Sequence, residues 1–169
     1  MAKKTVNLRS FKTQSKKKQR AYRYFITRLE NLAPRGLDSI AADIDKEVWK
    51  EMDCLSCANC CKKMTPTFTP QDLKRIAAHL NMSVMEFKEK WLKYERSDKD
   101  WVNVSQPCQF LDLKTNKCSI YAVRPADCAG FPHLAKKKAL LYLHVHKQNL
   151  EYCPATLKFI ELLKERMKL

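Results

Sequence analysis

Cysteine is the residue type whose number and spacing in this chain point most directly to chemistry. The chain has 169 residues and eight cysteines, and four of these lie in one run of eight residues, CLSCANCC, from Cys54 to Cys61. In the spacing C-x2-C-x2-C, three thiols can converge on one centre while the backbone curls around it, as in sites for zinc or iron–sulfur clusters. The run therefore predicts a metal site.

The last thiol of the run, Cys61, directly follows Cys60. Adjacent side chains diverge by about 100° on a helix and point to opposite faces of a strand. We therefore expect Cys60 and Cys61 to serve different centres, or only one of them to be a ligand.

Four further cysteines each lie next to a residue that breaks regular structure or forms a turn, which suits ligands presented from loops. Two of them, Cys108 and Cys118, are predicted to lie on the arms of a small hairpin, close enough to share a centre. Eight thiols suffice for two four-cysteine sites. The candidate metal ligands are Cys54, Cys57, Cys60, Cys61, Cys108, Cys118, Cys128 and Cys153.

The redox compartment decides whether such cysteines bind metal or form disulfides. No apolar signal segment follows Met1, so we expect a cytoplasmic location, where clustered cysteines more often bind metal. Thiolates suit a 4Fe-4S iron–sulfur cluster or iron, with Zn²⁺ as the alternative. The longest apolar run, Ala139 to Val145, is too short to cross a bilayer, so no membrane partner is expected.

Histidine is the other common thiolate partner in metal sites, and the chain has four. His133, five residues after Cys128, is the best imidazole candidate, although eight cysteines favour a bystander role for it. His144 and His146 alternate with apolar residues, which predicts a strand with one polar face. His79 is expected on the surface of a helix.

Signatures of ordinary enzymes are missing from the sequence. The only two glycines, Gly36 and Gly130, are far apart, which excludes Gly-rich phosphate loops and dinucleotide fingerprints. No cysteine, histidine and asparagine or aspartate trio has a recognisable signature, and a metal-bound cysteine is not a free nucleophile. The residues therefore predict no catalytic constellation.

Positive charge is concentrated at the head of the chain, within a formal net charge of +15. Residues 1–28 contain no acidic residue. The pattern, with Tyr22 and Tyr24 between the cations, predicts contact with nucleic acid or another polyanion; a solvated basic helix is the alternative. The basic residues of this segment are Lys3, Lys4, Arg9, Lys12, Lys16, Lys17, Lys18, Arg20, Arg23 and Arg28.

Apolar residues at spacings of three and four predict the helices that position the cysteines. Residues 1 to about 13 lack this periodicity and are expected to be mobile. One helix is predicted from Ser15 to Pro34, and a second, from Ser39 to Met52 with Asp38 as its cap, leads to the cysteine run.

Two helices with sequence-encoded caps follow, Thr69 to Leu80 and Ser83 to about Tyr94. A short strand is predicted at Trp101 to Val104, the cysteine hairpin at Cys108 to Cys118, and an amphipathic helix from Ala155. The prediction is thus a mostly α fold with a small β-hairpin. It comprises a basic N-terminal extension and helix, 1–36, and one compact domain, 37–169, whose loops are stapled by cysteine-ligated metal.

Four motifs, CLSCANCC, PCQFLD, KCSIYAVRPADCAGFP and YCPA, follow in this order between Cys54 and Ala155. In this pattern the chain resembles the YkgJ-type cysteine-cluster proteins, whose CxxCxxCC domain is associated with zinc or iron chelation. The family often has Gly between the second and third cysteines, where this chain has Ala58 and Asn59. Asn tolerates a left-handed backbone, so the turn is expected to persist.

The resemblance also singles out the RPxxC segment, here Arg124 to Cys128, as a family signature. It implies that Arg124 hydrogen-bonds to thiolate sulfur or backbone carbonyls near the metal; a salt bridge with Asp127 or Asp112 is the alternative. Flagellin lysine N-methylases are built around the same domain. A redox or methyl-transfer role is implied only by this resemblance, because no S-adenosylmethionine site is visible here.

Overall fold

A computed structural model describes residues 6–136 and 138–168. These residues are mostly helical and include a two-stranded antiparallel hairpin, which confirms the predicted fold class. The expectation of mobility for residues 1–5 lies outside the described part. The elements are α1 (Leu8–Leu32), α2 (Leu37–Glu51), α3 (Cys54–Cys57), α4 (Asn59–Lys63), α5 (Pro70–His79), α6 (Val84–Trp91), β1 (Leu92–Glu95), β2 (Asp100–Asn103), α7 (Ala126–Gly130), α8 (Leu143–Asn149) and α9 (Pro154–Met167), with 3-10 turns at Tyr121–Val123 and Ala139–Tyr142.

The chain forms two units. Unit 1 contains the described residues up to Cys57 together with those from Pro132 onward, and unit 2 is Ala58–Phe131. Unit 1 therefore joins the first three helices to the last two, whereas unit 2 is one continuous segment. The division at residue 36 expected from the sequence stays a prediction.

In unit 1, helix α1 packs against α8 and α9. Its buried stripe includes Phe25, Ile26 and Leu29, which are at most 3% exposed. The helix begins at Leu8, seven residues before the predicted start, because the side chain of Asn7 accepts a hydrogen bond from the Ser10 N–H and caps it. The first turns of α1 are charged and lack apolar periodicity, so the sequence pattern did not indicate a helix before Ser15.

Helix α2 begins without the predicted cap. Gly36 occupies the N-cap position with a φ of 79°, a left-handed conformation that glycine adopts without steric cost. The carboxylate of Asp38 instead accepts a hydrogen bond of 2.7 Å from the Ala139 N–H, within unit 1. Asp38 therefore ties the start of α2 to the segment before α8.

Unit 2 is built on a core of apolar side chains around Phe87, which is fully buried. The Phe87 ring stacks on Phe110 at 6.2 Å between centroids, and Phe68 meets it edge-on at 6.0 Å. The predicted caps of α5 and α6 are confirmed, since both helices begin with a complete capping box. The core consists of Phe68, Leu73, Ile76, Ala77, Phe87, Leu92, Phe110 and Ile120.

The two-stranded hairpin of unit 2, formed by β1 and β2, precedes the segment from Cys108 to Cys118 in which a hairpin was predicted. Helix α6 ends at Trp91, and Leu92 takes an extended backbone and pairs with Asn103, so the segment predicted as the end of a helix is strand β1. Between Cys108 and Cys118 the described residues form one isolated bridge, Leu111 to Cys118. Packing of Leu92 into the core decided the strand.

The predicted strand around His144 and His146 is also wrong, because both residues lie in helix α8. Leu143 and His146 are buried, three residues apart, whereas His144 is exposed. A short alternation of polar and apolar residues fits one turn of a helix as well as a strand, and packing on α1 and α9 selected the helix. None of the described helices combines the length and apolarity needed to cross a bilayer.

Replacing Phe87 with alanine should destabilise unit 2 by about 3–5 kcal/mol, because the ring is fully enclosed and its removal leaves a cavity. Urea unfolding followed by circular dichroism measures the loss. Met85→Ala, on the same helix but 70% exposed, is the matched control and should change stability little. Equal effects of the two substitutions would contradict this packing.

Candidate metal centre

Four cysteines of unit 2 come from four separate segments. Cys61 lies in α4, Cys108 precedes the isolated bridge, Cys118 is part of that bridge, and Cys128 lies in α7. The backbone N–H of Cys108 donates to the carbonyl of Cys61 at 2.8 Å. This bond ties the end of the CLSCANCC run to the second motif.

The four thiols also influence one another electrostatically. Burial raises the pKa of the Cys128 thiol well above its usual value of 9.0, and negative charge on Cys61, Cys108 and Cys118 acts in the same direction. Burial likewise raises the pKa of Cys108 and of Cys118, with Cys61 adding to both shifts. Cys61, Cys108, Cys118 and Cys128 are therefore neighbours, and we call them the unit 2 thiol group.

Cys61 is the member of this group that ionises most readily. A hydrogen bond from the Cys60 thiol lowers the pKa of Cys61 to about 7, and the positive charge of Lys62 acts in the same direction. The two sulfur atoms are 3.9 Å apart. Two thiolates on one tetrahedral zinc ion are separated by about 3.8 Å, so adjacency in sequence does not keep these sulfur atoms apart. Their assignment to centres stays a prediction.

Cationic side chains lie beside the thiol group. The positive charge of Lys62 helps to lower the pKa of the Cys61 thiol. The charge of Arg124 opposes the effect of burial, which raises the pKa of Cys118. Arg124 stacks on the Tyr121 ring at 3.9 Å and donates to the Tyr121 carbonyl at 2.7 Å. Arg124 thus donates to a backbone carbonyl near Cys118, which is one of the contacts that the resemblance implied for it.

Asp72, the N3 residue of the capping box that begins α5, also positions the RPxxC segment. The side chain of Asp72 is 1% exposed, and its Oδ1 accepts hydrogen bonds from the Ala126 N–H at 3.1 Å and from Arg75 at 2.5 Å. Arg75 also donates to the Arg124 carbonyl at 2.9 Å. Helix α5 therefore holds both residues that flank Pro125, which lies three positions before Cys128. No local signal distinguishes this capping aspartate from an ordinary one.

We expect Asp72→Ala to destabilise unit 2 by about 3 kcal/mol, because it removes a buried carboxylate that accepts several hydrogen bonds. Urea unfolding at neutral pH measures the effect. Glu86→Ala removes the matching capping-box carboxylate from α6, which is exposed, and should cost clearly less. A larger loss for Glu86→Ala would contradict the role of Asp72.

The same carboxylate gives a pH dependence. Burial alone would raise the pKa of Asp72, but hydrogen bonds from Thr69, Arg75 and Ala126 outweigh it and hold the pKa below 3.8. Because the folded pKa is lower than the unfolded one, the contribution is complete above the unfolded value and is lost as the pH falls through the folded value. The stability difference between Asp72→Ala and the parent chain should therefore shrink on acidification below pH 4.

Unit 1 holds three other cysteines. Cys54 and Cys57 lie one turn apart on α3, and Cys153 is the N-cap residue of α9. Cys57 and Cys153 are buried, whereas Cys54 is exposed. Burial raises the pKa of Cys153 to about 12, and charge on Cys54 acts in the same direction. Cys54 and Cys153 are therefore neighbours within unit 1.

The four histidines are divided between the two units. His133, His144 and His146 belong to unit 1, and His79 is exposed on α5, as expected. Burial lowers the pKa of His146 to about 4, and its ring lies 5.3 Å from Phe159. His146 is therefore a neutral core residue at physiological pH.

The turn before α4 is made by Ala58 rather than by Asn59. Ala58 has a φ of 46° and a ψ of 20°, the left-handed conformation, and Asn59 already belongs to the helix. The turn expected from the resemblance is thus present. It is made by Ala58, which tolerates the left-handed conformation less well than Asn59 would. An alanine in this conformation costs about 1–2 kcal/mol.

The donor set fits a thiophilic metal. No disulfide bond joins any of the eight cysteines. Four thiols grouped in unit 2 match the all-cysteine ligation of zinc and of iron–sulfur clusters. Among the described residues, no three Cys, His, Asp or Glu side chains already stand in a metal-ligating arrangement. The fit to a metal therefore rests on the type of the donor atoms and on their proximity in unit 2.

Comparison with known proteins agrees with this donor set. Residues 53–154 match the model of the CxxCxxCC family, described as a "Putative zinc- or iron-chelating domain". An uncharacterized protein of Methanocaldococcus jannaschii is 33% identical over 102 residues, which cover 59% of this chain and 55% of that protein, so the chain spans about half of this relative. No solved structure matches the chain. The family match covers more than half of the sequence and includes every cysteine, so this chain belongs to the CxxCxxCC cysteine-cluster family of metal-binding domains.

Proposed function

We propose that the chain holds an iron–sulfur cluster, or iron, through thiolates of the unit 2 thiol group. The observation that carries this proposal is that a backbone hydrogen bond of 2.8 Å joins Cys108 to Cys61 and that Cys108 and Cys118 pack against the same apolar core. The raised pKa of Cys128, to which these three thiols contribute, adds it to the same neighbourhood. Four thiolates are the complete ligand set of a 4Fe-4S cluster. Cys54, Cys57 and Cys153 form a second, three-thiol set in unit 1.

Charge balance supports the proposal. Four thiolates around Zn²⁺ or a dicationic four-iron cluster carry a net charge of about −2, which nearby cations and N–H groups offset. Lys62 and Arg124 supply positive charge beside Cys61 and Cys118. The four thiols are also partly buried, and the apolar surroundings of a metal site limit the access of solvent to it.

Anaerobic purification followed by metal analysis and visible absorption spectroscopy tests the proposal. Stoichiometric iron with broad charge-transfer absorption that bleaches on reduction is the expected result. A colourless protein with stoichiometric zinc would overturn the iron assignment while leaving the thiol group as a metal site. Iron without acid-labile sulfide would restrict the proposal to mononuclear iron.

The second candidate is a zinc-stapled structural module. It is favoured by the contact of Cys108 and Cys118 with the apolar core around Phe87, since a structural zinc site contributes directly to folding free energy. In that case chelation should unfold unit 2, and added Zn²⁺ alone should restore it. The two candidates share their ligands and differ in the metal.

A further inference from the structure

Helix α1 carries a face of exposed cations, which we call the basic face. It consists of Arg9, Lys12, Lys16, Lys17, Arg20 and Arg28. No member of the basic face forms an ion pair with a described residue. The only acidic residue of α1, Glu30, pairs with Lys147 and lies near the end of the helix.

The other cations of this helix have a different role. Lys18 pairs with Glu161 of α9 at 2.5 Å, and Arg23 pairs with Glu151 at 3.0 Å. The buried hydroxyl of Ser15 donates to the Leu150 carbonyl at 2.6 Å. These contacts and the apolar stripe fix α1 within unit 1. The basic face is therefore held on a rigid helix rather than on a mobile tail.

The geometry of the face suits a polymer with repeated charge. Lys12, Lys16 and Arg20 are spaced by four residues, so they form a row with about 6 Å between neighbours along the axis. From Arg9 to Arg28 the face extends for about 28 Å along the helix. A single small anion would engage only a fraction of it.

The exposed aromatic residue on the same side of the helix favours one class of polyanion. Tyr24 lies four residues after Arg20 and is 69% exposed. A helix that binds a membrane surface inserts its apolar face, but the apolar face of α1 is buried inside unit 1. An exposed ring among cations instead provides a platform on which an unpaired base can stack.

We propose that the basic face of α1 binds single-stranded nucleic acid, with its cations on the phosphates and Tyr24 stacked on a base. The binding is independent of sequence, since nothing on this face reads base edges through a fixed hydrogen-bonding pattern. It does not depend on which metal the cysteines hold.

Fluorescence anisotropy with a fluorescein-labelled 15-nucleotide oligouridine and the full chain, purified with its metal, tests the proposal. Log Kd against log salt concentration should have a slope of magnitude about 3–4, as expected for four to six phosphate contacts on a single strand. Lys12→Gln with Lys16→Gln should weaken binding about twentyfold near 0.1 M salt and lower that slope by about 1.4.

The matched control is Lys74→Gln with Lys93→Gln, which removes the same charge from exposed positions of unit 2 and should leave the affinity within about twofold. Tyr24→Ala should weaken binding about tenfold without changing the salt slope. Equal losses from the two lysine pairs would overturn the proposal. So would equal affinity for a 15-base-pair duplex, or binding to phosphatidylserine vesicles without binding to the oligonucleotide.

Discussion

Substitution of Cys118 by alanine should remove one complete metal centre from the protein rather than weaken it slightly. On the proposed assignment the unit 2 thiol group supplies four thiolates, and a site with three loses most of its binding free energy, which is about 10–16 kcal/mol for structural zinc. The melting temperature should fall by about 10 °C or more, because this binding energy also stabilises the folded state. Metal analysis and differential scanning calorimetry measure the two effects.

A double-substitution cycle separates one shared centre from two. Cys118→Ala and Cys128→Ala should each lose the same metal, so the double variant should lose no more than either single variant. Additive metal losses for Cys118 and Cys128 would contradict a shared centre in unit 2.

Metal binding should release several protons near pH 7. Burial raises the pKa of Cys108, Cys118 and Cys128 above 9.0, so these thiols are protonated in the metal-free reduced chain. Cys61, with a pKa of about 7, is half ionised. Since the metal binds thiolates, each ion that enters the unit 2 thiol group should displace about 3.5 protons.

The apparent affinity should consequently rise with pH, by about three orders of magnitude or more per pH unit around neutrality. Calorimetric titration with Zn²⁺ in buffers of different ionisation enthalpy counts the protons. A Cys54→Ala chain is the suitable background, because its unit 1 thiols are one ligand short. Release of fewer than about two protons per ion would mean that the four thiols do not bind together.

Much of the secondary structure around the site was predictable because its signals are local. Thr69 with Pro70 and Asp72, and Ser83 with Glu86, encode helix starts within four residues, and both capping boxes form. The order of the cysteine motifs was sufficient to identify the family. Where local signals were ambiguous, as at Leu92 and at His146, burial against distant segments decided between strand and helix.

By itself, the sequence determined that the chain is a mostly helical member of a metal-chelating family with a basic first helix. Only the tertiary structure decided which thiols are neighbours, that Asp72 holds the segment before Cys128, and that Lys18 and Arg23 serve packing while the basic face stays exposed. The physical reason is that caps and apolar periodicity act within a few residues. The contacts between these groups join positions that lie tens of residues apart, and no local pattern encodes them.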